Sequence, residues 1–468
     1  MQCSDFMKFD DNAKCVNSFY KGFHVWFYIR FVVFNAINNL ENGVKTLDYR
    51  EEFKNAFGNL TFIKKIQYVF LTFFRKLPKR KARIIFFNGS GGNMKEGNSY
   101  EHRITDFFYG QVRDESISVE ESYKLKYFVP RKVKTYYLDY ILVLNKFNEI
   151  LKSRNNGDFN NISLIVDGIK VLFRNYALDD EFWENQKNSA YKGFLAFCFK
   201  QKIYFKLLKK INPSIVFRNC ASYGGYQALS SACHKLGIVF AEFQHGYIGV
   251  DHEAYNYGDV FFENMQLRNL LPSYYLTFGC FWGAQIRHPA KIVPIGFPYL
   301  QKKSIATAAK RFILIVSDGD SPSQNKFLID CVKDYAYEHN LSIVLKLHPC
   351  ECLKKDEWYS DLHESESFQI KLFEPVYDYI SCAKFVIGSC STVMFETLCF
   401  GLNPFVYASE RLLKKEIERS IFDTFETKDE LMALMTGCKT LKKIDYNIFF
   451  SKDWDTAFVN FMKKIEQK

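Results

Sequence analysis

From residue 83 onward the chain alternates short apolar runs with stretches whose apolar positions return at helical spacing. The runs "RIIFFNGSGGN", "ISLIVDG", "PSIVFRN", "IVFAEFQHG", "DVFFEN", "YYLTFG" and "KIVPIGFP" read as buried strands, because a strand covered on both faces is apolar at consecutive positions. Between them, "GGYQALSSACHKLG" carries a helical period. Buried strands alternating with helices predict a mainly parallel, doubly wound sheet.

Around "PIGFPYLQKKSIATAAKR" the periodicity lapses, and a second series begins with "RFILIVSDGD", "LSIVLKLHP", "FQIKLFE", "KFVIGS" and "NPFVYA", again with helices between. The fold class expected is α/β with two Rossmann-like, doubly wound domains: 1–300, with a helical N-terminal extension, and 301–468, ending in a helix. Such a pair predicts a ligand cleft between the domains, lined by loops at the carboxyl ends of strands. The extension holds two further patterns. "FHVWFYIRFVVFNAI", from Phe23, is shorter than the roughly 20 residues that span a bilayer and reads as a buried helix. In "FIKKIQYVFLTFFRKLPKRKAR" the apolar residues Ile66, Val69, Phe70, Phe73, Phe74 and Leu77 recur at helical spacing among lysines and arginines. That pattern suits a helix on an anionic membrane surface, and equally one packed on its own domain.

Composition narrows the partners. With 48% hydrophobic and 25% charged residues the chain is globular, and a formal charge of +11 favours anionic ligands or surfaces. The Lys and Arg residues are spread along the chain without a nucleic-acid module, so nucleic acid is not expected as a partner. Thirteen cysteines lack paired spacing, and Asp5, Asp10 and Asp11 interrupt any signal peptide, which predicts reduced thiols and a cytoplasmic protein, peripheral at the inner face of the cell membrane if the basic helix binds there. Cys350 and Cys352 form a C-x-C with no second pair at metal-ligand spacing.

The second series carries the strongest chemical pattern. In "KLHP", His348 follows an apolar strand that Pro349 ends, so the imidazole is delivered to the strand's terminal loop. In "FVIGSCSTVMFETLCFG" a strand meets a turn with Ser389, Ser391 and Thr392 and then a helix, whose first N–H groups favour an anion such as phosphate. Glu396 lies one turn beyond Thr392, where a carboxylate can accept both hydroxyls of a ribose. Ser and Thr are also ordinary helix caps, and it is the order of these pieces within one α/β unit that points to a site. In the first series, "EFQHGYIGVDHEAY" places His245 and His252 close together beside Gly246. A histidine near its usual pKa of about 6.5 can take a proton from a hydroxyl. Glu242 is a second candidate base and Asp167, in "IVDG", a third. Gly89, Gly91 and Gly92 fall short of a full G-x-G-x-x-G and instead leave room for an acceptor at the end of the first strand. Asp318, in "SDGD", reads as a polar loop facing the cleft, although Asp318 and Asp320 also match the short D-x-D pattern of metal-dependent GT-A enzymes.

These motifs resemble the GT-B superfamily of glycosyltransferases, in particular bacterial enzymes of capsule and lipopolysaccharide synthesis. "KLHP" and "SCST" look like the His-Pro and Ser-Ser/Thr elements of bacterial sialyl- and Kdo-type transferases. "FQHG", "KLHP" and "SCSTVMFE" are similar, in the same order, to elements of the CDP-glycerol glycerophosphotransferases. The resemblance covers about a third of the chain. It implies that His348, Ser391 and Thr392 bind a donor phosphate, that Glu396 holds the ribose, and that His245 is the catalytic base. Sialyltransferases carry an acidic pair before a glycine where this chain has only Asp167 after Val166, so the base stays divided among His245, Asp167 and Glu242. His252 either positions a substrate or is a surface histidine. The expected activity is transfer of a sugar from a nucleotide donor, a cytidine nucleotide slightly favoured, to a surface glycan or lipid-linked glycan, without metal or other cofactor. The alternatives are transfer of a polyol phosphate from a CDP-glycerol-like donor, and a nonenzymatic protein that binds polysaccharide or lipid.

Overall fold

The structure is a computed structural model that describes residues 1–41, 63, 66, 70, 81–121, 128–139, 141, 144–145, 148–149, 156–304, 311–319, 322–389, 391–409, 416–437 and 442–467. The chain divides into two compact units, residues 1–296 with 453–468, and residues 297–452. The last helix therefore departs from the sequence-based division at 300/301, which gave it to the second domain. That helix, α7 (Trp454–Glu466), sets Trp454 and Phe458 against Phe108, and Phe461 against Phe217 and Tyr274, all in the first unit.

Among the described residues the main sheet of the first unit has strands β1 (Ile84–Gly89), β2 (Ser116–Glu121), β3 (Thr135–Tyr137), β4 (Ile215–Asn219), β5 (Val239–Phe243), β6 (Tyr274–Thr277) and β7 (Lys291–Pro294). Their order is β7-β6-β5-β4-β1-β2-β3, and every neighbouring pair is parallel. The chain runs outward from β1 to β3 and returns on the other side at β4, so the topological switch point lies between β1 and β4. The second unit has β8 (Phe312–Val316), β9 (Ser342–Lys346), β10 (Phe368–Lys371), β11 (Ala383–Gly388), β12 (Phe405–Tyr407) and β13 (Asp423–Phe425), in the order β10-β9-β8-β11-β12-β13. All of its pairs are parallel, and its switch point lies between β8 and β11. Two doubly wound parallel units, with helices such as α4 (Gln227–Lys235) and α5 (Pro322–Glu338) between successive strands, are what the sequence pattern leads one to expect.

Two of the expected strands are helical. "ISLIVDG" lies in α2 (Asn156–Lys170), where Ile162, Val166 and Ile169 are buried while Leu164 faces solvent, a helical and not a strand pattern. "DVFFEN" forms a helical turn, Val260–Glu263, that buries Phe261 against Phe27 and Tyr257. Conversely, β2 escapes an apolar search because its buried positions include Ser116, Ser118 and Glu120.

The apolar window from Phe23 forms α1 (Val25–Glu41), which buries Trp26, Ile29, Val33, Phe34 and Ile37. Trp26 stacks on Phe173, which also packs against Trp183 at the start of α3 (Asp180–Ile211). Each such side chain contributes about 1.5–3 kcal/mol by leaving water. Asp179 caps α3 by accepting from Phe182 N at 2.7 Å, and Asn212 closes it in the left-handed region at φ 56°. Arg30 of α1 is buried and answered by Asp10, with Nε–Oδ1 3.0 Å and Nη2–Oδ2 2.9 Å. Among the described residues no helix is long and apolar enough to cross a membrane. Of the basic amphipathic segment, Ile63, Ile66 and Phe70 are helical and exposed, and the rest up to residue 80 lies outside the described residues.

Candidate functional site

The first unit gathers titratable side chains at the carboxyl end of β5. Glu242, on the strand itself, is fully buried; its carboxylate accepts from Ala221 N (2.9 Å), Ser222 Oγ (2.5 Å) and Tyr255 Oη (2.8 Å). Burial outweighs these three donors and pushes its pKa up to about 7. Ser222, having turned its proton toward Glu242, faces His288 Nε2 at 3.1 Å, while His288 Nδ1 accepts from Ala290 N at 3.0 Å. His288 is thereby fixed as the Nε2–H tautomer.

His245 lies two residues past the end of β5. Gln244 pins the turn: its backbone N–H donates to Leu276 O (2.8 Å), its side-chain oxygen accepts from Phe278 N (2.8 Å), and its amide donates to Gly246 O (2.8 Å). The ring of His245 is held at both nitrogens, Nδ1 3.2 Å from Tyr255 Oη and Nε2 3.2 Å from Tyr223 Oη. Tyr223 Oη is also 3.0 Å from His252 Nε2, so one phenol bridges the two histidines. Burial first, then the charges of His252 and Arg103, push the pKa of His245 down to about 3, and the ring is neutral near pH 7. Arg103 also donates to His245 O at 3.1 Å. A Cβ on Gly246 would meet nothing within 4 Å, so the turn itself is not packed there.

The segment carrying His252 and Tyr255 is braced from α1. Arg30 donates to Glu253 O (2.5 Å) and Asn256 O (3.0 Å), and Asn35 donates to Glu253 Oε1 (2.5 Å). Asn256 in turn donates to Gly249 O (2.8 Å) and His252 O (3.0 Å). The N-terminal extension thus orders the loop that completes the histidine cluster.

The second unit places its candidates at the carboxyl ends of three adjacent strands, β9, β8 and β11. His348 follows β9, is exposed, and donates its backbone N–H to Glu351 Oε2 at 3.0 Å, while its Nδ1 lies 2.9 Å from Cys350 Sγ. A buried chain supports that turn: Glu351 Oε1 accepts from Tyr359 Oη (2.9 Å), Tyr359 Oη from Asn325 Nδ2 (2.7 Å), and Asn325 Nδ2 also reaches Ser317 Oγ (2.9 Å) at the end of β8. Gly319 beside it has φ +99°, and a Cβ there would stand 3.0 Å from His348 Nδ1, so the glycine lets the Asp318 loop and the His348 turn meet. Asp320 lies outside the described residues.

After β11, Ser391 caps α6 (Thr392–Leu398) by accepting from Val393 N at 3.3 Å. Ser389 is buried and bonded to Ser409 Oγ (2.7 Å) and Tyr407 O (3.3 Å), a strut between the ends of β11 and β12. Glu396 is buried one turn along α6 from Thr392, on the same face. The arrangement offers helix-terminal N–H groups, a hydroxyl and an imidazole at one sheet edge, and a carboxylate one turn back, the donor and acceptor set for a phosphate joined to a ribose.

Two candidates stand elsewhere. Asp167 is on α2, half exposed, and its carboxylate pairs with Lys187 at 2.8 Å; the structure brings it into no bond with His245. The strand expected there is a helix, so the residue is not delivered to a strand end. At Gly92 the missing Cβ leaves space for His102, whose Nε2 would be 2.3 Å away; room expected for an acceptor is filled by protein. Gly89 carries the carbonyl that His102 Nε2 meets at 3.2 Å, and Gly91 sits in the short 3-10 turn that follows. Sequence reasoning missed Ser222, Tyr223 and His288, which the sheet order brings beside Glu242 and His245, and Tyr255, which closes the quoted "EFQHGYIGVDHEAY" itself; "SYGGY" and "HEAY" gave no spacing to find them by.

No protein-family model matches the chain. No curated protein matches it. Among solved structures it is similar to the UDP-GlcNAc 2-epimerase of Methanocaldococcus jannaschii, at 10% identity over 82% of this chain and 99% of that one, with a TM-score of 0.46. The UDP-GlcNAc 2-epimerase of Neisseria meningitidis gives 10% identity, 82% and 100% coverage, and 0.45. The wall teichoic acid polymerase TagF gives 12%, 90% and 99%, and 0.41. Likeness at this level concerns the course of the chain and carries nothing about chemistry.

Proposed function

We propose that the protein is a metal-independent glycosyltransferase of surface polysaccharide synthesis, with the donor nucleotide on the second unit and the acceptor's base on the first. The observation that carries this reading is the approach of His348 to the Asp318–Gly319 loop at the carboxyl end of the second sheet, whose switch point lies between β8 and β11, the strand that leads into α6; doubly wound sheets bind nucleotides at such a point. His348 and the N–H groups at Ser391 and Thr392 would stabilise the departing phosphate as negative charge develops on it. Glu396 would accept from the ribose hydroxyls. His245, neutral and half-buried two residues past the end of β5, would take the proton of the acceptor hydroxyl. A cytidine nucleotide and a glycan or lipid-linked glycan acceptor complete the proposal, at the inner face of the cell membrane.

The test is thermal stabilisation of the purified protein by CMP, CDP, UDP and GDP, each with and without Mg²⁺, since a ligand that binds only the folded state raises Tm by mass action. Stabilisation by CMP or CDP without Mg²⁺ is expected. A preference for UDP or GDP would replace the cytidine donor, and no response to any nucleotide would leave a polysaccharide- or lipid-binding protein as the better reading.

A further inference from the structure

The two candidate bases of the first unit, Glu242 and His245, are joined by a single hydroxyl. Tyr255 Oη donates to Glu242 Oε1 at 2.8 Å and stands 3.2 Å from His245 Nδ1. A phenol has one proton. With that proton turned to the carboxylate, Tyr255 can only accept from the ring, so Nδ1 carries hydrogen and the Nε2 lone pair faces Tyr223 Oη, whose single proton can turn instead to His252 Nε2 and leave His245 Nε2 to an acceptor hydroxyl. The gradient of burial runs the same way: His245 is partly exposed, whereas Tyr255 and Glu242 are fully buried.

We propose that His245, Tyr255 and Glu242 act as one proton relay, in which the imidazole takes the acceptor's proton at Nε2 and the buried carboxylate, through Tyr255, ends up holding it. Tyr255 is a positioning residue, since it acts through His245. The balance is complete. As the acceptor oxygen forms its bond to the transferred group, the bond from that group to the nucleotide phosphate breaks and its electron pair leaves with the phosphate. The acceptor's proton moves to Nε2, the Nδ1 proton to Tyr255 Oη, and the Tyr255 proton to Glu242 Oε1. His245 and Tyr255 end neutral, with the ring changed from one tautomer to the other, and Glu242 ends protonated. Reversal of the two inner hops, with loss of the Nε2 proton to solvent, resets the site.

The surroundings favour this direction. Around His245 stand Arg103, His252, Tyr223 and Tyr255, none of them a carboxylate to pair with an imidazolium, and its pKa is pushed down to about 3, by burial first. A proton left on that ring would be strongly acidic. Around Glu242 stand Ser222, His288 and Tyr255, with Cys220, Tyr223, Tyr257 and Tyr275 from neighbouring segments. Burial raises the carboxyl to about 7, so it both accepts and returns a proton near neutrality. The third donor on Glu242, Ser222, is itself fixed by the His288 tautomer, which leaves Tyr255 as the mobile partner.

The relay rests on the reading of His245 as a base, and its test is independent of nucleotide and turnover. In the full-length protein labelled with ¹⁵N-histidine, the His245 ring is followed from pH 5.5 to 9, its signal assigned by loss in His245→Gln. The expected result is a neutral ring throughout, Nδ1–H above pH 8, drifting toward Nε2–H as Glu242 gains its proton near pH 7. Tyr255→Phe and Glu242→Gln should each abolish that drift. An Nε2–H ring at high pH, a ring that charges near its usual pKa of about 6.5, or a drift that survives Tyr255→Phe would overturn the relay. Failure of nucleotides to raise Tm would remove the transferase reading without moving the tautomer, so the two can fail separately.

Discussion

The two sheet edges are built from different materials. In the first unit the polar groups at β5 are buried side chains that saturate one another, Glu242 with three donors and His245 held at both nitrogens. In the second unit His348 is exposed on a turn that a buried chain of Glu351, Tyr359 and Asn325 supports, and the other candidates are N–H and hydroxyl groups at a helix start with Glu396 one turn along. Burial shifts pKa values, and exposure leaves a group able to meet an incoming anion. The first edge is suited to moving a proton and the second to gripping a charge.

That contrast can be broken at several points. The largest effect is expected from His245→Ala, which should lower turnover by about 10²–10⁴ while leaving the Tm rise given by nucleotide intact, the range for loss of a general base; steady-state kinetics beside a thermal-shift series checks it.

Acid should separate the units next. His24, His102 and His288 are buried and His245 is half-buried, all four with pKa values pushed down to about 3, so the unfolded chain binds protons below about 6.5 that the folded chain refuses, and stability falls as pH falls. Glu120, Glu242 and Glu253, raised to about 7 mainly by burial, act oppositely: the folded state takes their protons first, which adds stability as pH falls from about 7 to the unfolded value near 4.5. The two trends oppose each other above pH 4.5; below it the histidine term continues, at about 1.4 kcal/mol per pH unit for each ring, opposed by Asp106, which burial raises to about 6 and which adds stability until the pH reaches its ordinary value of 3.8. Near-UV circular dichroism of the intact chain should therefore show aromatic packing of the first unit lost steeply between pH 4.5 and 3. A flat profile there would mean those rings charge without opposing the fold.

A smaller effect is expected at Gly92, where a Cβ would stand 2.3 Å from His102 Nε2. Gly92→Ala should cost about 1–3 kcal/mol in a urea titration, the usual range for overpacking. The smallest is Asp167→Asn, which removes only a half-exposed pair with Lys187; it should change stability by less than about 1 kcal/mol and leave turnover alone. A large loss of turnover would return Asp167 to the site.

The second edge was the more legible of the two in sequence. Its residues sit in contiguous motifs, "KLHP" and "SCSTVMFE", and a strand followed by Pro or by a capped helix fixes where they go. At the first edge Glu242, His245, His252 and Tyr255 share one segment. Tyr223, Ser222 and His288 reach them because β4, β5 and β6 lie side by side, a fact of sheet order that no local spacing encodes. Fold class followed from alternation, yet "ISLIVDG" shows its weakness: an apolar run buried at Ile162, Val166 and Ile169 is helical, although each neighbour looks like strand. The polar strand β2 was hidden for the opposite reason, since its buried Ser118 and Glu120 serve a polar interior. Lapsed periodicity led to a division at 300/301, and nothing local signals that α7 packs in the first unit.

The division of labour between the edges is tested most directly by measuring the dissociation constant of the nucleotide that best stabilises the wild-type protein, in His348→Ala, Thr392→Ala and His245→Ala. The first two should weaken binding about tenfold, or about 1.4 kcal/mol, and the third should leave it unchanged. Equal affinity in all three variants, or a loss confined to His245→Ala, would contradict the assignment of the donor to the second unit.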